Sequence, residues 1–278
     1  SFEGFKQISS EHKWLYTHGR QKWGVYYSDD ALRTQTEFYD HFLKGEDNGF
    51  DRRPAVRLEV RESLEEYKVR FEEDWPIPDT DYRELYLHGD SMELSNVAPI
   101  SSTERRYDSE TESAVFAHTF VEDTELSGNM KLKLWVSIEE GNDMDLFVSV
   151  DKLNAAGEVV HFYAKMGYNK GPVAMGWLRV SQRALDPERS TPAQPWLLHD
   201  RALPVKRDDV VPVEIEILPS STLFHRGESL RLTVQGRDLF DHPSLGHHYA
   251  VNRGVHHIHS GPGQESFLLV PVIPPREL

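Results

Sequence analysis

His18 has the sequence setting of a general base. It follows a short run of apolar residues, Trp14 to Tyr16, and Gly19 directly after it releases the chain into a loop. An imidazole at the end of a strand can accept the proton of a serine hydroxyl and return it to the leaving group. Position alone, however, favours an ordinary polar loop histidine over this role.

Three aspartates in the middle of the chain are candidate ligands for a hard cation. Asp143, Asp145 and Asp151 offer carboxylate oxygens, which calcium prefers. Asp143 and Asp145 lie at a predicted turn between two apolar runs, where acids are usually solvated. We therefore expect no metal at these carboxylates.

Six histidines cluster towards the end of the chain and form a second candidate metal site. His256 with His259, or His257 with His259, could hold a transition-metal ion. No cysteine accompanies them, and their spacing fits no zinc signature. The sequence thus predicts neither a metal nor a cofactor here. The cluster consists of His242, His247, His248, His256, His257 and His259.

Three tryptophans, Trp135, Trp177 and Trp196, could line a sugar-binding platform on a β-sandwich. Large aromatic side chains more often pack in a core or an interface. We therefore favour packing for all three.

The stretch 126–153 is expected to organise the elements that position these residues. Apolar side chains alternate with polar ones from Met130 to Ile138, which is the period of a half-buried strand. Gly141 to Asp143 predict a turn, and a second alternating run follows from Leu146 to Leu153. The pattern predicts an antiparallel hairpin that is the spine of a β-sandwich, because such a pair needs a second layer.

Many further short apolar runs are separated by glycine and proline, and helical spacing is almost absent beyond residue 50. This texture is typical of a β-sandwich or jelly roll. Residues 95–113 are rich in Ser, Glu and Thr and are predicted to form a long surface loop. Further strands are predicted at 54–61, 67–72, 85–88, 114–119, 159–164, 177–181, 211–218, 229–235 and 265–272.

Residues 1–50 differ from the rest of the chain. They predict a short helix at 2–8, a strand at 12–18, and a helix that Ser28 caps and Gly45 ends. Helix, strand, loop and helix form an α/β pattern. One strand makes no sheet, so this segment is too small to be a domain of its own.

Three groups of segments together resemble the C-terminal half of the X-Pro dipeptidyl-peptidase and cocaine-esterase family of serine hydrolases. No single motif is specific, but their order and spacing extend over nearly the whole chain. The first group is Lys13 to His18 with Phe38 to Gly45; the second is Leu126 to Gly128 with 134–137 and 143–146; the third is 176–183 with 213–219 and 266–273.

The resemblance implies a fold and a catalytic role. In that family an α/β-hydrolase domain ends in the histidine of its catalytic triad, and a galactose-binding-like jelly roll follows; His18 matches that histidine. The implied division is residues 1–50, the incomplete end of the hydrolase domain, and residues 51–278, the jelly-roll β-sandwich. The fold class is then mainly β, with a short α/β remnant.

The rest of the triad is missing from the sequence. A nucleophile elbow has the pattern G-x-S-x-G, and Gly89 to Ser91 and Gly227 to Ser229 match only half of it, in a predicted turn and a predicted strand start. The triad acid should precede the histidine, whereas Asp29 and Asp40 follow it. The resemblance therefore implies that the nucleophile and the acid lie upstream and that this chain alone is inactive.

Two functions from different classes follow. The first is the C-terminal portion of a serine hydrolase, in which the jelly roll walls the active site while an ester or amide is cleaved through an acyl-serine intermediate. Its expected partners are the missing N-terminal hydrolase portion and a small ester or peptide substrate, and a homo-oligomer is possible. The alternative is a non-catalytic jelly-roll module that binds carbohydrate or a protein.

Composition excludes some classes of partner. The net charge of −15 argues against nucleic acid, whose phosphates require clustered Lys and Arg. No apolar run reaches the roughly 18 residues that a membrane helix needs, so no membrane is expected. The chain has no cysteine, which mildly favours a cytoplasmic location.

Overall fold

A computed structural model describes residues 1–164, 168–240 and 246–276 and is mainly β. Its α-helices lie in the first 44 residues: α1 Phe2–Gln7, α2 Lys22–Tyr26 and α3 Asp29–Lys44. Short 3-10 turns occur at Phe50–Arg52 and Val180–Gln182. No helix in the described part of the chain is long and apolar enough to cross a bilayer.

The strands are numbered in chain order. They are β1 Leu15–Tyr16, β2 Val56–Arg61, β3 Tyr67–Glu72, β4 Asp81–His88, β5 Glu93–Ser95, β6 Thr103–Asp108, β7 Ser113–Thr119, β8 Thr124–Ile138, β9 Asp145–Leu153, β10 Val159–Val160, β11 Ala174–Arg179, β12 Val211–Phe224, β13 Ser229–Gln235, β14 Val255–Ser260 and β15 Phe267–Ile273.

The strands close into one sandwich-like sheet around a common core. The pairing runs in the order β12, β11, β9, β13, β7, β5, β4, β15 and β8, and β8 pairs back with β12. β14 and β6 continue from β8, whereas β2 joins β12 from outside the ring and carries β1 and β3. This closure leaves few strand edges open to solvent.

The predicted hairpin at 126–153 is wrong, although both of its strands exist. β8 pairs with β12, β15 and β14, whereas β9 pairs with β11, β13 and β10. The side chains of the two strands share one buried cluster, which includes Leu134 and Val148. The turn between them therefore connects opposing parts of the sandwich, and β8 and β9 do not pair with each other.

The predicted surface loop at 95–113 is also wrong in part. Thr103–Asp108 is strand β6, which pairs along its whole length with β14. Its side chains are mostly charged and only Tyr107 is deeply buried, so the strand lacks the apolar alternation that would identify it.

The first 50 residues dock on the sandwich. β1 lies parallel to β2, with Leu15 opposite Val56. Phe5 and Leu15 are buried in a second apolar cluster with residues of β2, such as Leu58, and of the segment between β3 and β4, such as Trp75. Strand β1 of the α/β segment therefore pairs with β2.

Helix α3 follows its local signals closely. The Ser28 hydroxyl accepts the Ala31 amide at 3.4 Å, and Asp29 and Asp30 occupy the first turn, where the helix dipole favours acids. Gly45 ends the helix in the left-handed conformation at φ 75°.

Candidate functional site

His18 stands immediately beyond the end of β1. The Leu15 amide donates to the Ala55 carbonyl at 2.8 Å, and the Thr17 amide donates to the Arg57 carbonyl at 3.0 Å. These two bonds hold the strand against β2 and carry the chain to His18, whose side chain is exposed. The predicted strand-end position of this histidine is therefore correct.

The hydrogen bond of the His18 ring selects a tautomer. Nδ1 lies 3.1 Å from the Arg20 carbonyl oxygen, which can only accept, so Nδ1 carries the proton. The Nε2 lone pair then remains available, as a general base requires. In the described residues, the partner of this ring is a backbone carbonyl and not a carboxylate.

A buried carboxylate on β2, that of Glu59, shapes the loop after His18. Its oxygens accept the Gly19 amide at 3.1 Å and Arg20 Nη2 at 2.7 Å. Arg57 Nη1 lies 3.3 Å from the same carboxylate, whose side chain is only 1% exposed. Glu59 therefore fixes the loop that carries His18, a role that sequence reasoning missed.

A second carboxylate, that of Asp30 on α3, also forms an ion pair with Arg57. The Tyr16 hydroxyl donates to Asp30 Oδ2 at 2.7 Å, and Arg57 Nη2 lies 3.1 Å from the same oxygen. Burial and this bond raise the pKa of Tyr16 to about 12. The Tyr16 hydroxyl and the Arg57 charge lower the pKa of Asp30, which therefore stays ionised and ties α3 to the β1–β2 pair.

His18 opens onto an aromatic cleft of about 520 Å³. Its walls come from β1, α2 and α3 and include Trp14, Tyr16, Tyr26, Phe38 and Tyr39. The cleft has the size of a small-molecule site.

Helices α2 and α3 also expose an apolar surface. Trp23 is 62% exposed, Tyr27 63% and Leu43 76%. The Trp23 and Tyr27 rings stack with centroids 6.2 Å apart, and exposed aromatic side chains grouped in this way mark a contact surface more often than an ordinary solvent face.

The histidines of β14 lie on two faces of the strand. His256 is buried beside Tyr107, and burial lowers its pKa to about 4. His257 and His259 share the opposite face, where Glu104 of β6 lies between them. Of the two candidate pairs, His256 and His259 lie on opposite faces, whereas His257 and His259 come together. Of the other members of the cluster, His242 lies outside the described residues.

A family model of the X-Pro dipeptidyl-peptidase C-terminal non-catalytic domain matches residues 48–269. The chain belongs to this family. The resemblance to the C-terminal half of these hydrolases is thereby confirmed.

Solved structures agree with this assignment. A CocE/NonD family hydrolase from Staphylococcus aureus is 42% identical with a TM-score of 0.95, over 98% of this chain and 51% of that chain. An α-amino acid ester hydrolase and an aminopeptidase from a marine sediment archaeon, Thaumarchaeota archaeon, are each 16% identical, with TM-scores of 0.60 and 0.61. They cover 91% and 90% of this chain, and 46% and 45% of theirs, and share the fold.

The chain thus spans about half the length of these solved relatives. No curated protein sequence matches the chain.

The acids and serines that the sequence analysis weighed and set aside as triad members have other structural settings. Asp40 pairs with Lys44 Nζ at 2.6 Å, and Asp29 is exposed in the first turn of α3. Ser91 lies in a turn, and Ser229 begins β13 with its hydroxyl 2.8 Å from that of Thr119. Neither half motif forms a nucleophile elbow.

The three central aspartates each have protein partners. Arg179 binds both oxygens of Asp145, at 2.8 and 2.9 Å. Asp143 accepts the Ser181 amide at 2.8 Å, and Asp151 pairs with Arg231 at 3.2 Å. Asp145 and Asp151 stand at opposite ends of β9, roughly 20 Å apart at the usual rise of a strand. The three do not converge on one site.

The tryptophans do not form one platform. Trp177 of β11 and Trp196 line the same cleft of about 330 Å³, whereas Trp135 lies on β8 opposite Pro212. Trp177 is 54% exposed, and Trp135 and Trp196 are partly buried.

Proposed function

We propose that this chain is the C-terminal portion of a serine hydrolase of the acyl-esterase and X-Pro dipeptidyl-peptidase type. The observation that carries the proposal is the 42% identity of 98% of the chain to half of a CocE/NonD family hydrolase. The parent would cleave a small ester or a peptide through an acyl-serine intermediate. The lack of cysteine is compatible with a cytoplasmic enzyme.

His18 would be the base of the triad. Its Nδ1–H tautomer leaves Nε2 able to take the proton of a serine hydroxyl. The serine and the acid would come from residues that precede this chain, and that acid would replace the Arg20 carbonyl as the partner of Nδ1.

The two parts of the chain would have different roles in the parent enzyme. Residues 1–50 would end the α/β-hydrolase domain, with the exposed apolar side chains Trp23, Tyr27 and Leu43 packing against its upstream part. Residues 51–278 would be a jelly roll of the galactose-binding-like kind, which walls the active site and restricts the substrate. Its Leu58, Arg61 and Val173 line a second cleft with His18, of about 240 Å³.

The isolated chain should then be catalytically inactive, because one triad member without a nucleophile or an oxyanion hole has nothing to acylate. The test is incubation with p-nitrophenyl acetate and with a fluorophosphonate probe. No labelling is expected, whereas stoichiometric labelling of any serine in this chain would overturn the proposal.

A second experiment addresses His18 in the parent enzyme. His18→Ala should lower turnover by about 10⁴–10⁶, the range for loss of a triad base in other hydrolases. His12, which is exposed and lines the same cleft, offers a matched control, and His12→Ala should retain turnover. Full activity of the His18→Ala enzyme would show that another residue is the base.

A non-catalytic binding module is the second candidate, and one observation favours it. The half-exposed Trp177 lies between two clefts, of about 510 and 330 Å³. Such a ring can stack on a sugar. Saturable binding on a glycan array that is lost in Trp177→Ala would favour this reading.

A further inference from the structure

Strands β6 and β14 bring three potential metal ligands to one face of the sheet. His257 and His259 are two residues apart on β14, so both point to the same side. Their rings stack with centroids 5.9 Å apart and an angle of 7° between the planes. Glu104 of β6 stands directly opposite His259 in the ladder and diagonal to His257.

The separations suit one small ion. Glu104 Oε1 lies 3.0 Å from His257 Nδ1, and Glu104 Oε2 lies 3.5 Å from His259 Nδ1. Zinc bound to nitrogen and oxygen at its usual bond lengths places neighbouring tetrahedral ligands about 3.3 Å apart. The two observed distances bracket that value. In the described residues, this is the group of His, Asp and Glu whose ligand atoms lie within 4.8 Å of one another.

The outer nitrogens of both rings are held by further side chains. His257 Nε2 lies 3.1 Å from Glu139 Oε1, and His259 Nε2 lies 2.8 Å from the Ser137 hydroxyl. A carboxylate and a hydroxyl can each accept an Nε2 proton. A bound ion would displace the proton that His257 Nδ1 donates to Glu104, and both Nδ1 lone pairs would then be directed at the ion. Metal-binding histidines have such outer partners, because these fix the tautomer and the orientation of the ring.

The charge around the cluster also suits a dication. Arg106 forms an ion pair with Glu139 and a longer one, at 3.9 Å, with Glu104 Oε1. Glu139 is thus compensated, while the Glu104 carboxylate faces the two imidazoles.

We propose that Glu104, His257 and His259 bind one divalent transition-metal ion of the zinc type. Two imidazoles and a carboxylate supply three ligands, and water completes the coordination on the exposed Glu104 side. The ion joins β6, the last strand of the pairing path, to β14 and so secures this end of the sheet. Glu139 and Ser137 act as positioning residues.

The experiment uses the 278-residue chain after removal of metals with a chelator. Zn²⁺ binding is measured by calorimetry, and Co²⁺ binding by the intense visible absorption of a tetrahedral ion. One ion per chain should bind and raise the unfolding temperature. Glu104→Gln, which keeps the shape of the side chain, and His257→Ala should each abolish this binding. Circular dichroism must show that both variants remain folded.

Two further variants separate a built site from general histidine affinity. His248→Ala removes an exposed histidine outside the cluster and should bind like the parent chain. Glu139→Gln should weaken binding about 10–100-fold, the usual effect of losing an outer partner. The proposal is overturned if the chain binds no ion saturably, or if Glu104→Gln and His257→Ala bind as the unaltered chain does.

Discussion

At the scale of single residues, Glu59 decides where His18 stands. Its carboxylate is buried between β1 and β2 and accepts bonds from the Gly19 amide, Arg20 and Arg57. A buried acid is tolerated only when its lone pairs are satisfied in this way. The loop after β1 is therefore shaped by a residue 41 positions further along the chain.

Glu59→Ala should destabilise the chain strongly. Removing one partner of a buried ion pair commonly costs about 3–5 kcal/mol, and the partial exposure of Arg20 places this case near 3 kcal/mol. Urea unfolding measures the change. Glu73→Ala, at an exposed acid beyond β3, is the control and should stay within about 0.5 kcal/mol of the unaltered chain. Equal midpoints for the two variants would contradict this role of Glu59.

At the scale of elements, the ends of individual helices and strands could be predicted from the sequence, whereas the pairing partners of the strands could not. Ser28 and Gly45 identify the ends of α3, and alternation identifies β3 and β13 to the residue. The pairing of β8 with β12 depends on segments about 85 residues away, so the sequence suggested the neighbouring β9 instead. The local alternation of apolar and polar residues determines which side chains point inwards, but it does not determine which strand pairs with which.

The same limit applies to the candidate sites. His18 and the pair His257 with His259 were identifiable because their own sequence neighbours place them at a strand end or on a strand. Glu59 and Glu104 were missed because only strand pairing brings them to these histidines, over 40 and about 150 residues. Asp29 and Asp40, which the sequence analysis set aside because they follow His18, belong to helix α3.

Gly176 marks a close approach between β11 and β12. A Cβ at this position would lie 2.2 Å from the Glu216 carbonyl oxygen, which belongs to the backbone and cannot turn away. Gly176→Ala should therefore lower the free energy of unfolding by about 1–3 kcal/mol. Gly24→Ala in α2, where a Cβ meets nothing within 4 Å, should not destabilise the chain. If Gly176→Ala left the free energy of unfolding unchanged in chemical denaturation, the two strands would be able to move apart at no cost.

His225 ties two turns together in a pH-dependent way. Its Nε2 lies 2.9 Å from Glu62, after β2, and its Nδ1 lies 3.1 Å from Asp123, before β8. These acids raise the pKa of His225. A raised pKa contributes stability that is fully present below the unfolded-state pKa of about 6.5 and is lost as the pH rises through the folded-state value.

His225→Gln should therefore cost more stability in acid than in base. The difference in unfolding free energy from the unaltered chain should be larger at about pH 5.5 than at about pH 9, where both proteins lack the charge. Denaturant titrations at the two pH values measure it. His248→Gln, at an exposed histidine, should show no such trend. A cost that grows with pH would have the wrong sign for this ion pair.

At the scale of the whole molecule, we expect the free energy of local opening to be highest in the closed ring of strands and to decrease towards β1. β8 lies between β12 on one side and β15 and β14 on the other, and its aliphatic side chains are fully buried. β1 is a strand of two residues at the end of the pairing path, held by bonds to β2 alone. Segments with few hydrogen bonds and one neighbour open at the lowest free energy.

Amide hydrogen exchange on the dilute chain should show this gradient. The amides of Leu15 and Thr17, which donate to the Ala55 and Arg57 carbonyls, should exchange much faster than those of Leu132 and Leu134 in β8, which is paired on both sides. β13, which is paired on both sides by β7 and β9, supplies a second protected reference. If the proposed upstream hydrolase portion packs on α2 and α3, its presence should slow exchange in β1 and leave β8 and β13 unchanged. Equal and strong protection of β1 and β8 in the isolated chain would instead mean that residues 1–50 and the sandwich form one self-sufficient unit, and the proposal of an incomplete hydrolase domain would fail.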